Sequence, residues 1–435
     1  MCKWVGRLSV ALALLSAICF AGNTDIYEQA TAGQEPVIGA PYFGTHFHRI
    51  VPYPGDKALL TRWPEAKIGA VRLWDSGTLW ADIAAQPGQW NYDRMDAYVE
   101  LAAAHNAAVL YTLGGTPRWA SARPDETCAY GLGCAAEPVK MAHWEEYVRR
   151  VAQRYRGRIA MYELWNEPSF SDIARDRGRP GFYTGDVANM VEMARIARKV
   201  LDEVDPGAIL STPGFVSGPD RLDLFLAAGG KQYIQAVAYH FYAVNAGEFV
   251  QRVLEVRAIM KRHGLEGLPL WNTETGLEVY PSDQPLPPGV QNQTPAQAAS
   301  LMAQFLVLGA ATGLERFYYY AWDNGLSGMF SPAGVRQPAW DAYEKVQSWL
   351  LGARMSGCAA MPPNGVRCQG ELAGQRFLIV WADKEAMYHI PVPSGQRAVA
   401  VEKLLSASQP ITETYRFPQM LLASEPVRIL FESKQ

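Results

Sequence analysis

Short apolar runs alternate with longer helical patterns between residues 42 and 351 of the chain. Each run has five to eight mostly apolar residues, which is the length and character of a buried strand. The eight predicted strands are Tyr42–His48, Ala70–Trp74, Ala107–Leu113, Ile159–Asn166, Ala208–Thr212, Ala236–Tyr242, Leu268–Thr273 and Phe317–Trp322. Amphipathic segments between them predict helices at Arg94–His105, Met141–Tyr155, Val187–Val204, Phe249–His263, Pro295–Thr312 and Pro338–Leu351.

Alternating strands and helices predict an α/β fold, and eight strands predict a closed (β/α)8 TIM barrel. The active groups of such a barrel lie on the loops that follow the strands. A doubly wound open sheet is the alternative, but it usually carries a glycine-rich phosphate turn after its first strand, and none follows Tyr42–His48. Two βα loops, Gly114–Val139 and Leu277–Gln293, are long, and loops of that length are usually functional or disordered.

The pattern changes beyond Gly352, where helical periodicity gives way to short strands. These predicted strands are Phe377–Trp381, Tyr388–Val392, Val399–Leu404, Ile411–Tyr415 and Val427–Phe431. We therefore predict a catalytic barrel over residues 36–352 and a small C-terminal β-sandwich-like domain over residues 353–435.

The first 22 residues have the organisation of a secretory signal peptide. Lys3 and Arg7 precede an apolar run, Leu8–Phe20, which small residues follow. The run is shorter than the ~20 apolar residues that cross a bilayer, so it does not indicate a membrane anchor. Because Ile18 rather than a small residue precedes Cys19, lipoprotein processing is not indicated either. We predict a secreted or periplasmic protein with no membrane partner after cleavage.

Cleavage of that segment would remove two of the six cysteines and leave two close pairs. We predict two local disulfides for an oxidising compartment, Cys128–Cys134 and Cys358–Cys368. A zinc site is the alternative, but the spacings are loose and no Cys-X-X-Cys motif is present. The net charge of −3, without basic clusters, argues against a nucleic-acid partner.

Two acidic residues stand at the ends of aromatic strand-like runs. Glu167 lies near the end of Ile159–Pro168, and Glu274 lies in Leu270–Gly276. Pro168 disfavours the α conformation at Glu167, so we expect an extended residue that places the acid at the strand end. Two such acids predict a two-carboxylate mechanism, and glycoside hydrolysis is the most common reaction of this type.

Further polar and aromatic side chains gather at the predicted strand ends, which a barrel would bring to one mouth. They are His46, His48, Arg72, Trp74, Asp75, Asn166, His240, Tyr242, Trp322 and Asp323. Packing alone explains this distribution poorly, because buried polar groups need partners. Glu163 lies deeper on the strand of Glu167, so we interpret it as a structural acid paired with an arginine.

These motifs resemble those of clan A glycoside hydrolases. The matching residues are Trp165-Asn166-Glu167-Pro168, Thr273-Glu274, Arg72, His240-Phe241-Tyr242 and Trp322. With the trailing β-domain, the layout is most similar to glycoside hydrolase family 39, which includes β-xylosidases, iduronidases and exopolysaccharide endoglycosidases. The similarity runs from Tyr42 to the C-terminus. It implies a carbohydrate substrate, with no cofactor and no metal.

The resemblance also implies roles for the matched residues. Glu167 would be the general acid/base and Glu274 the nucleophile of a retaining mechanism. Arg72 and the Tyr242 hydroxyl would keep Glu274 ionised, and Asn166 would donate to the 2-hydroxyl of the sugar.

The remaining substrate-binding residues would be His46, His48, Trp74, His240 and Trp322. Trp322 would form the floor of the catalytic subsite, followed by a cis peptide bond to Asp323. The long loops and the 13 Trp and 21 Tyr residues favour an endo-acting hydrolase of a β-linked exopolysaccharide. An exo-acting β-xylosidase-like enzyme is the alternative.

Two hypotheses from other classes remain open. His46, His48, His240 and Asp323 also resemble the zinc ligands of metal-dependent amidohydrolases, although the fifth strand offers no His and the fourth no bridging Lys. The other hypothesis is a barrel that binds polysaccharide without cleaving it, and the presence of both acids argues against it.

Overall fold

The protein is described by a computed structural model over residues 25–53, 62–280, 286, 292–331, 334–405, 409–410 and 418–434. Eight parallel strands form a barrel: β1 Phe43–His46, β2 Ala70–Leu73, β3 Ala108–Thr112, β4 Met161–Glu163, β5 Ile209–Ser211, β6 Val237–His240, β7 Leu270–Thr275 and β8 Arg316–Tyr319. They pair in the order β5-β4-β3-β2-β1-β8-β7-β6. Parallel bridges Ser211↔Ala236 and Phe215↔Tyr239 join β5 to β6 and close the barrel, which confirms the predicted fold class.

The helices of the described chain are α1 Ile26–Thr31, α2 Trp80–Ile83, α3 Asp93–Ala104, α4 Met141–Arg154, α5 Val187–Val204, α6 Pro219–Ala227, α7 Ala246–Arg262, α8 Pro295–Ala311 and α9 Pro338–Leu350. The six long helices are those predicted from the sequence. Helix α8 begins with a capping box between Thr294 and Gln297. Sequence analysis missed α1, α2 and α6 because none exceeds nine residues, too few to show several turns of periodicity.

The barrel interior has two layers of different chemistry. Alternation along each strand sends one set of side chains inwards and the other towards the helices. The lower layer is apolar and consists of Ala70, Leu110, Met161, Ala236, Trp271 and Tyr318. The layer nearer the carboxyl ends of the strands is polar and buried: His46, Arg72, Thr112, Glu163, His240 and Glu274. Because buried charges are costly unless paired, hydrogen bonds and ion pairs must hold this upper layer together.

A second unit follows α9. Its strands are β9 Arg354–Met361, β10 Gly365–Leu372, β11 Gln375–Ala382, β12 Ala386–His389, β13 Gln396–Lys403, β14 Gln409–Pro410, β15 Gln419–Leu422 and β16 Val427–Ser433. Six of them form an antiparallel sheet in the order β9-β10-β11-β16-β13-β14, and β12 pairs with β15. The two sheets enclose a small apolar core, which confirms the sandwich-like domain. The predicted strand Ile411–Tyr415 lies outside the described residues.

The opposite face of the six-stranded sheet packs on the barrel. Its side chains belong to the same apolar cluster as the barrel helices and include Met355, Cys358, Phe377, Ile379 and Trp381. The two units therefore share one continuous core.

Both predicted disulfides are present. Cys128–Cys134 closes a short hairpin, Thr127–Cys128 paired with Gly131–Leu132, within the third βα loop. Cys358–Cys368 joins opposite residues of β9 and β10.

Among the described helices, none has the length and apolar character needed to cross a membrane. The predicted signal peptide, residues 1–22, lies outside the described residues.

Candidate active site

Arg72 organises the polar layer of the barrel. Its buried guanidinium donates from Nη1 to Glu274 Oε2 at 2.8 Å and from Nη2 to Asn166 Oδ1 at 2.7 Å. Nε and Nη2 also donate to Glu163 Oε2 at 2.8 and 2.5 Å, and Thr112 donates to the same oxygen. Glu163 is thus the arginine-paired structural acid that the sequence predicted. Burial opposes the charge of Arg72, but Glu163 and Glu274 outweigh burial and raise the pKa of Arg72.

An extra residue in β7 turns Glu274 into the barrel. Tyr239 of β6 lies opposite Asn272, but the next residue, His240, lies opposite Glu274. The register between β7 and β8 shows the same irregularity. Trp271 faces the interior, so regular alternation would point Glu274 outwards towards the helices. The bulge reverses that direction and brings the carboxyl group to the mouth.

Glu167 reaches the same space from the end of β4. Its backbone φ is 42°, so the expectation of an extended residue before Pro168 is wrong. The Glu167 N–H donates to the carbonyl of Gly214 at 2.8 Å, which helps hold the left-handed conformation. Such a conformation costs about 1–3 kcal/mol in a residue other than glycine and persists only where the surroundings enforce it.

Glu167, His240 and Glu274 converge at the centre of the mouth. One carboxyl oxygen of each acid and Nδ1 of the histidine lie within 4.8 Å of one another. His240 Nδ1 is 2.8 Å from Glu167 Oε1 and 3.9 Å from Glu274 Oε1. The Glu167 side chain is 18% exposed and that of Glu274 is 9% exposed, so Glu274 is the deeper acid.

The groups around Glu274 have opposing effects on its pKa. Burial raises the pKa of Glu274, and the charge of Glu167 acts the same way, whereas His240 and Arg72 oppose them. The Tyr242 hydroxyl donates to Glu274 Oε1 at 2.7 Å. Burial and the charge of Glu274 raise the pKa of Tyr242 well above its ordinary value, so the phenol stays protonated and keeps donating.

His46 and His48, at the end of β1, bring ring nitrogens to the mouth. His46 Nε2 lies 3.1 Å from the carbonyl oxygen of Thr273. In the described part of the chain, His46 Nδ1 and His48 Nε2 are buried without a hydrogen-bond partner. Burial lowers the pKa of His46 well below its ordinary value and also lowers the pKa of His48, so both rings are neutral near pH 7.

Asp75 lies just beyond β2 and joins two other segments of the barrel mouth through hydrogen bonds. Its Oδ1 accepts a hydrogen bond from the Tyr130 hydroxyl, and its Oδ2 accepts one from the Tyr320 hydroxyl at 2.7 Å. Because Tyr130 belongs to the disulfide hairpin, these bonds tie the third loop to the ends of β2 and β8. Trp74 lies under Tyr130, ring edge to ring face at 5.5 Å, and is only 2% exposed. The structure therefore does not bring the Trp74 ring to the open surface of the mouth.

The structure contradicts the position expected for Trp322. The cis peptide bond of this segment joins Tyr320 to Ala321, and the predicted cis bond between Trp322 and Asp323 is wrong. The Trp322 ring is 2% exposed and packs among other aromatic rings, those of Phe47, Phe330 and Trp340. Tyr320 instead continues the inward-facing set of β8, with its ring 5.1 Å from that of His46.

The residues of the amidohydrolase hypothesis do not converge on a metal site. His46 Nε2 faces a backbone carbonyl, His240 contacts Glu167, and Asp323 accepts two backbone N–H bonds. Within the described ranges, the group of three ligand-type residues that lies together is Glu167, His240 and Glu274. This trio has the donor set for a divalent cation, but it is not the ligand set that the hypothesis required.

Sequence analysis missed Gly214, Tyr130 and Tyr320. A Cβ at Gly214 would lie 2.4 Å from His240 Nε2, so only glycine fits between β5 and the site. Alternation along β8 could have indicated Tyr320 as an inward residue. Tyr130 carries no such signal, because it lies in an irregular loop between two cysteines.

Comparisons with known proteins define the class of fold. No protein-family model matches the chain, and no curated protein matches it. Solved structures of glycoside hydrolases share its fold at low sequence identity.

A family 39 glycoside hydrolase from the gut symbiont Bacteroides cellulosilyticus WH2 superposes with a TM-score of 0.65 over 84% of this chain and 75% of that one, at 15% identity. For a family 39 β-xylosidase from Caulobacter crescentus the TM-score is 0.58, with 85% and 90% covered and 18% identity. For a family 30 endoxylanase from Clostridium papyrosolvens C71 it is 0.56, with 84% and 89% covered and 12% identity. The predicted resemblance to family 39 is confirmed at the level of the fold.

Proposed function

We propose that the protein is a retaining glycoside hydrolase in which Glu274 is the nucleophile and Glu167 the general acid/base. The observation that carries this proposal is the approach of the two carboxyl groups, with one oxygen of each within 4.8 Å, at the ends of β7 and β4. Retaining enzymes hold these groups about 5–5.5 Å apart, whereas inverting enzymes separate them by about 6.5–9.5 Å to admit a water. The fold shared with glycoside hydrolases supports the proposal.

The unequal surroundings of the two acids support the assignment of roles. Glu274 is deep and accepts hydrogen bonds from Arg72 and Tyr242, which favour the carboxylate needed for attack. Glu167 is the more exposed acid, which suits the residue that must meet both the leaving group and the incoming water. The side-chain oxygen Oδ1 of Asn166 accepts a hydrogen bond from Arg72. The NH₂ group of Asn166 is left to donate to a sugar hydroxyl.

In the first step, a Glu274 oxygen attacks the anomeric carbon while the glycosidic bond breaks. Glu167 gives its proton to the departing oxygen, which leaves as an alcohol. The product is a glycosyl ester of Glu274 with inverted anomeric configuration. Arg72 keeps its bond to the other Glu274 oxygen and holds the carboxylate plane in position during attack.

In the second step, water enters where the leaving group was. Glu167, now a carboxylate, takes a proton from this water as the water oxygen attacks the anomeric carbon. The ester bond breaks, Glu274 leaves as a carboxylate, and a second inversion restores the original configuration. His46 and His48 stay proposed sugar-binding residues; their unpartnered ring nitrogens are buried beside the mouth.

We further propose that the substrate is a β-linked exopolysaccharide cleaved internally by a secreted or periplasmic enzyme. The signal-like N-terminus, the two disulfides and the long third loop support this proposal. An exo-acting β-xylosidase-like enzyme is the alternative, because a β-xylosidase is among the proteins of similar fold.

The configuration and size of the first products test these proposals together. Proton NMR of the first turnover of a β-glycoside should show the β-anomer, followed by slow mutarotation. Chromatography of a digested β-linked polysaccharide should show oligosaccharides before any monosaccharide. An α-anomer as the first product would contradict the retaining mechanism, and monosaccharide alone would contradict internal cleavage.

The pH dependence of the reaction tests the environment of Glu274. The nucleophile must be ionised, so activity is lost as the pH falls through its pKa. Because burial raises the pKa of Glu274 above 4.5, the acidic limb of kcat/KM should lie above pH 4.5. An aryl glycoside with a good leaving group is the right substrate, since its cleavage does not need a proton from Glu167. An acidic limb at or below pH 4.5 would contradict this expectation.

A further inference from the structure

Tyr130 is an aromatic residue at the mouth to which the proposed mechanism gives no role. It lies in the turn of the disulfide hairpin, between Cys128 and Gly131. Its hydroxyl donates to Asp75, and Asp75 also accepts a hydrogen bond from the Tyr320 hydroxyl at 2.7 Å. The hairpin turn is therefore bound to the residues that follow β2 and β8.

Further contacts lead from these residues to the proposed nucleophile. The Tyr320 ring is 5.1 Å from the ring of His46, whose Nε2 lies 3.1 Å from the carbonyl oxygen of Thr273. Thr273 immediately precedes Glu274 in β7. A short series of contacts thus joins the hairpin turn to the strand of the nucleophile.

The Tyr130 ring also contacts the loop that begins with the proposed acid/base. Its centroid is 5.8 Å from that of Phe182, which lies in the segment that follows Glu167. The Phe182 carbonyl accepts a hydrogen bond from Trp165 Nε1 at 2.8 Å, which fixes this segment to the end of β4. Tyr130 is therefore joined by contacts to the segments of both proposed catalytic acids.

The side chain of Tyr130 combines a fixed position with an exposed ring. The Trp74 ring packs against it at 5.5 Å and its hydroxyl is bound, yet 37% of the residue remains exposed. The disulfide joins Cys128, beside the turn, to Cys134. Cys134 is buried, and its carbonyl accepts the backbone N–H of Thr116 at 3.2 Å, so it anchors the hairpin to the base of the loop. A rigid aromatic ring offers contact area at a low cost in conformational entropy.

We propose that Tyr130 forms a sugar-binding subsite next to the catalytic subsite and that the Cys128–Cys134 disulfide holds the ring in place. The inference rests on the proposed glycosidase function and assigns to it a substrate of more than one sugar residue. The apolar face of a pyranose ring packs against an aromatic ring. The neighbouring sugar makes this contact equally in the ground state and in the transition state, so the contact lowers KM for long substrates rather than raising kcat.

Matched polymers and 4-nitrophenyl β-glycosides test the subsite. The panel pairs xylan with the xyloside, β-glucan with the glucoside, β-mannan with the mannoside and chitosan with the glucosaminide. Tyr130→Ala should lower the ratio of polymer to aryl-glycoside kcat/KM about tenfold, through a higher KM for the polymer. For a polymer whose aryl partner is not cleaved, the rise in polymer KM is the readout.

Two further substitutions separate the ring from the hydrogen bond and from the hairpin. Tyr130→Phe keeps the ring and loses the bond to Asp75, so its ratio should stay within about threefold of the wild-type ratio. Thr127→Ala, at an exposed position of the same hairpin, is the control and should leave the ratio unchanged.

Serine substitution of both Cys128 and Cys134 tests the part played by the disulfide. The double variant releases the hairpin from its anchor, so its ratio should fall towards that of Tyr130→Ala. Serine substitution of both Cys358 and Cys368 is the control, because that disulfide lies in the C-terminal unit and its loss should leave the ratio unchanged. Thermal unfolding of each variant shows whether the fold is intact.

The possible outcomes distinguish this inference from the proposed function. No cleavage of any polymer or aryl glycoside would contradict the proposed function itself. Cleavage of aryl glycosides but of no polymer would overturn only the inference. The same holds for a wild-type ratio in Tyr130→Ala, for a loss confined to kcat, or for a Tyr130→Phe protein as impaired as Tyr130→Ala. A wild-type ratio in the variant without Cys128 and Cys134 would overturn the role of the disulfide.

Discussion

Replacing Glu274 with alanine is expected to lower kcat/KM by about 10⁴- to 10⁶-fold, the range found when a catalytic nucleophile or its partner is removed. The change deletes the oxygen that would bond to the anomeric carbon, and no other carboxyl group near it has the same hydrogen bonds from Arg72 and Tyr242. Initial rates on the best aryl glycoside measure the loss. Added azide should restore part of the rate, because a small anion can occupy the vacated space.

The product of azide rescue identifies the role of Glu274. Azide that attacks from the position of Glu274 gives a glycosyl azide of inverted configuration, which NMR distinguishes from the retained one. Since the alanine variant leaves Arg72 without one partner, its thermal unfolding should be compared with that of Glu274→Gln, which keeps an acceptor oxygen. Glu146→Gln, on the exposed face of α4, is the control and should behave as wild type. Activity of Glu274→Ala within tenfold of wild type, with the fold intact, would exclude Glu274 as the nucleophile.

Glu167→Ala is expected to lower kcat/KM about 10²- to 10⁴-fold on polysaccharide or on glycosides with poor leaving groups, because general acid catalysis contributes about that much. A dinitrophenyl glycoside should lose far less in the first step, since its leaving group needs no proton. The variant should then accumulate the glycosyl ester of Glu274, which mass spectrometry of the intact protein can detect. Rates on the two classes of leaving group, measured side by side, give the comparison.

Azide should again accelerate the variant, but now by attacking the ester of Glu274 from the position of the missing acid. The resulting glycosyl azide has retained configuration, the opposite of the Glu274→Ala product. His240→Gln serves as a comparison, because it removes the nitrogen 2.8 Å from Glu167 while leaving the acid in place. Equal losses on good and poor leaving groups, or an azide of inverted configuration, would show that Glu167 is not the acid/base.

The fold was predictable because its signals are local and repeated. Each strand of the barrel is a short apolar run, and each long helix shows several turns of periodicity, so strand order follows from chain order in a parallel barrel. The residues at the strand ends then follow from geometry, since the carboxyl ends of all eight strands meet at one mouth. Glu163 shows this well: its depth on the strand of Glu167 was enough to predict a buried acid paired with an arginine, and the structure identifies that arginine as Arg72.

The details of the site were not predictable, because they depend on contacts between distant parts of the chain. The direction of Glu274 depends on one extra residue in β7, and the left-handed conformation of Glu167 depends on a bond to Gly214 beyond β5. The error at Trp322 has a different cause: the sequence motif was right about an aromatic residue at this strand end but two positions off. Alternation along β8 would have indicated Tyr320 as the inward residue.

The continuous core between the barrel and the C-terminal sheet limits how the chain can be divided. A protein ending after α9 would expose to water the apolar surface that now packs against β9, β10 and β11. Each Å² of this surface would lower the free energy of unfolding by about 25 cal/mol. Helix α1 also crosses this boundary, since the Thr31 hydroxyl accepts the backbone N–H of Cys358. The two units should therefore unfold in one cooperative transition, and we expect a fragment that ends after α9 to be less stable than the whole chain.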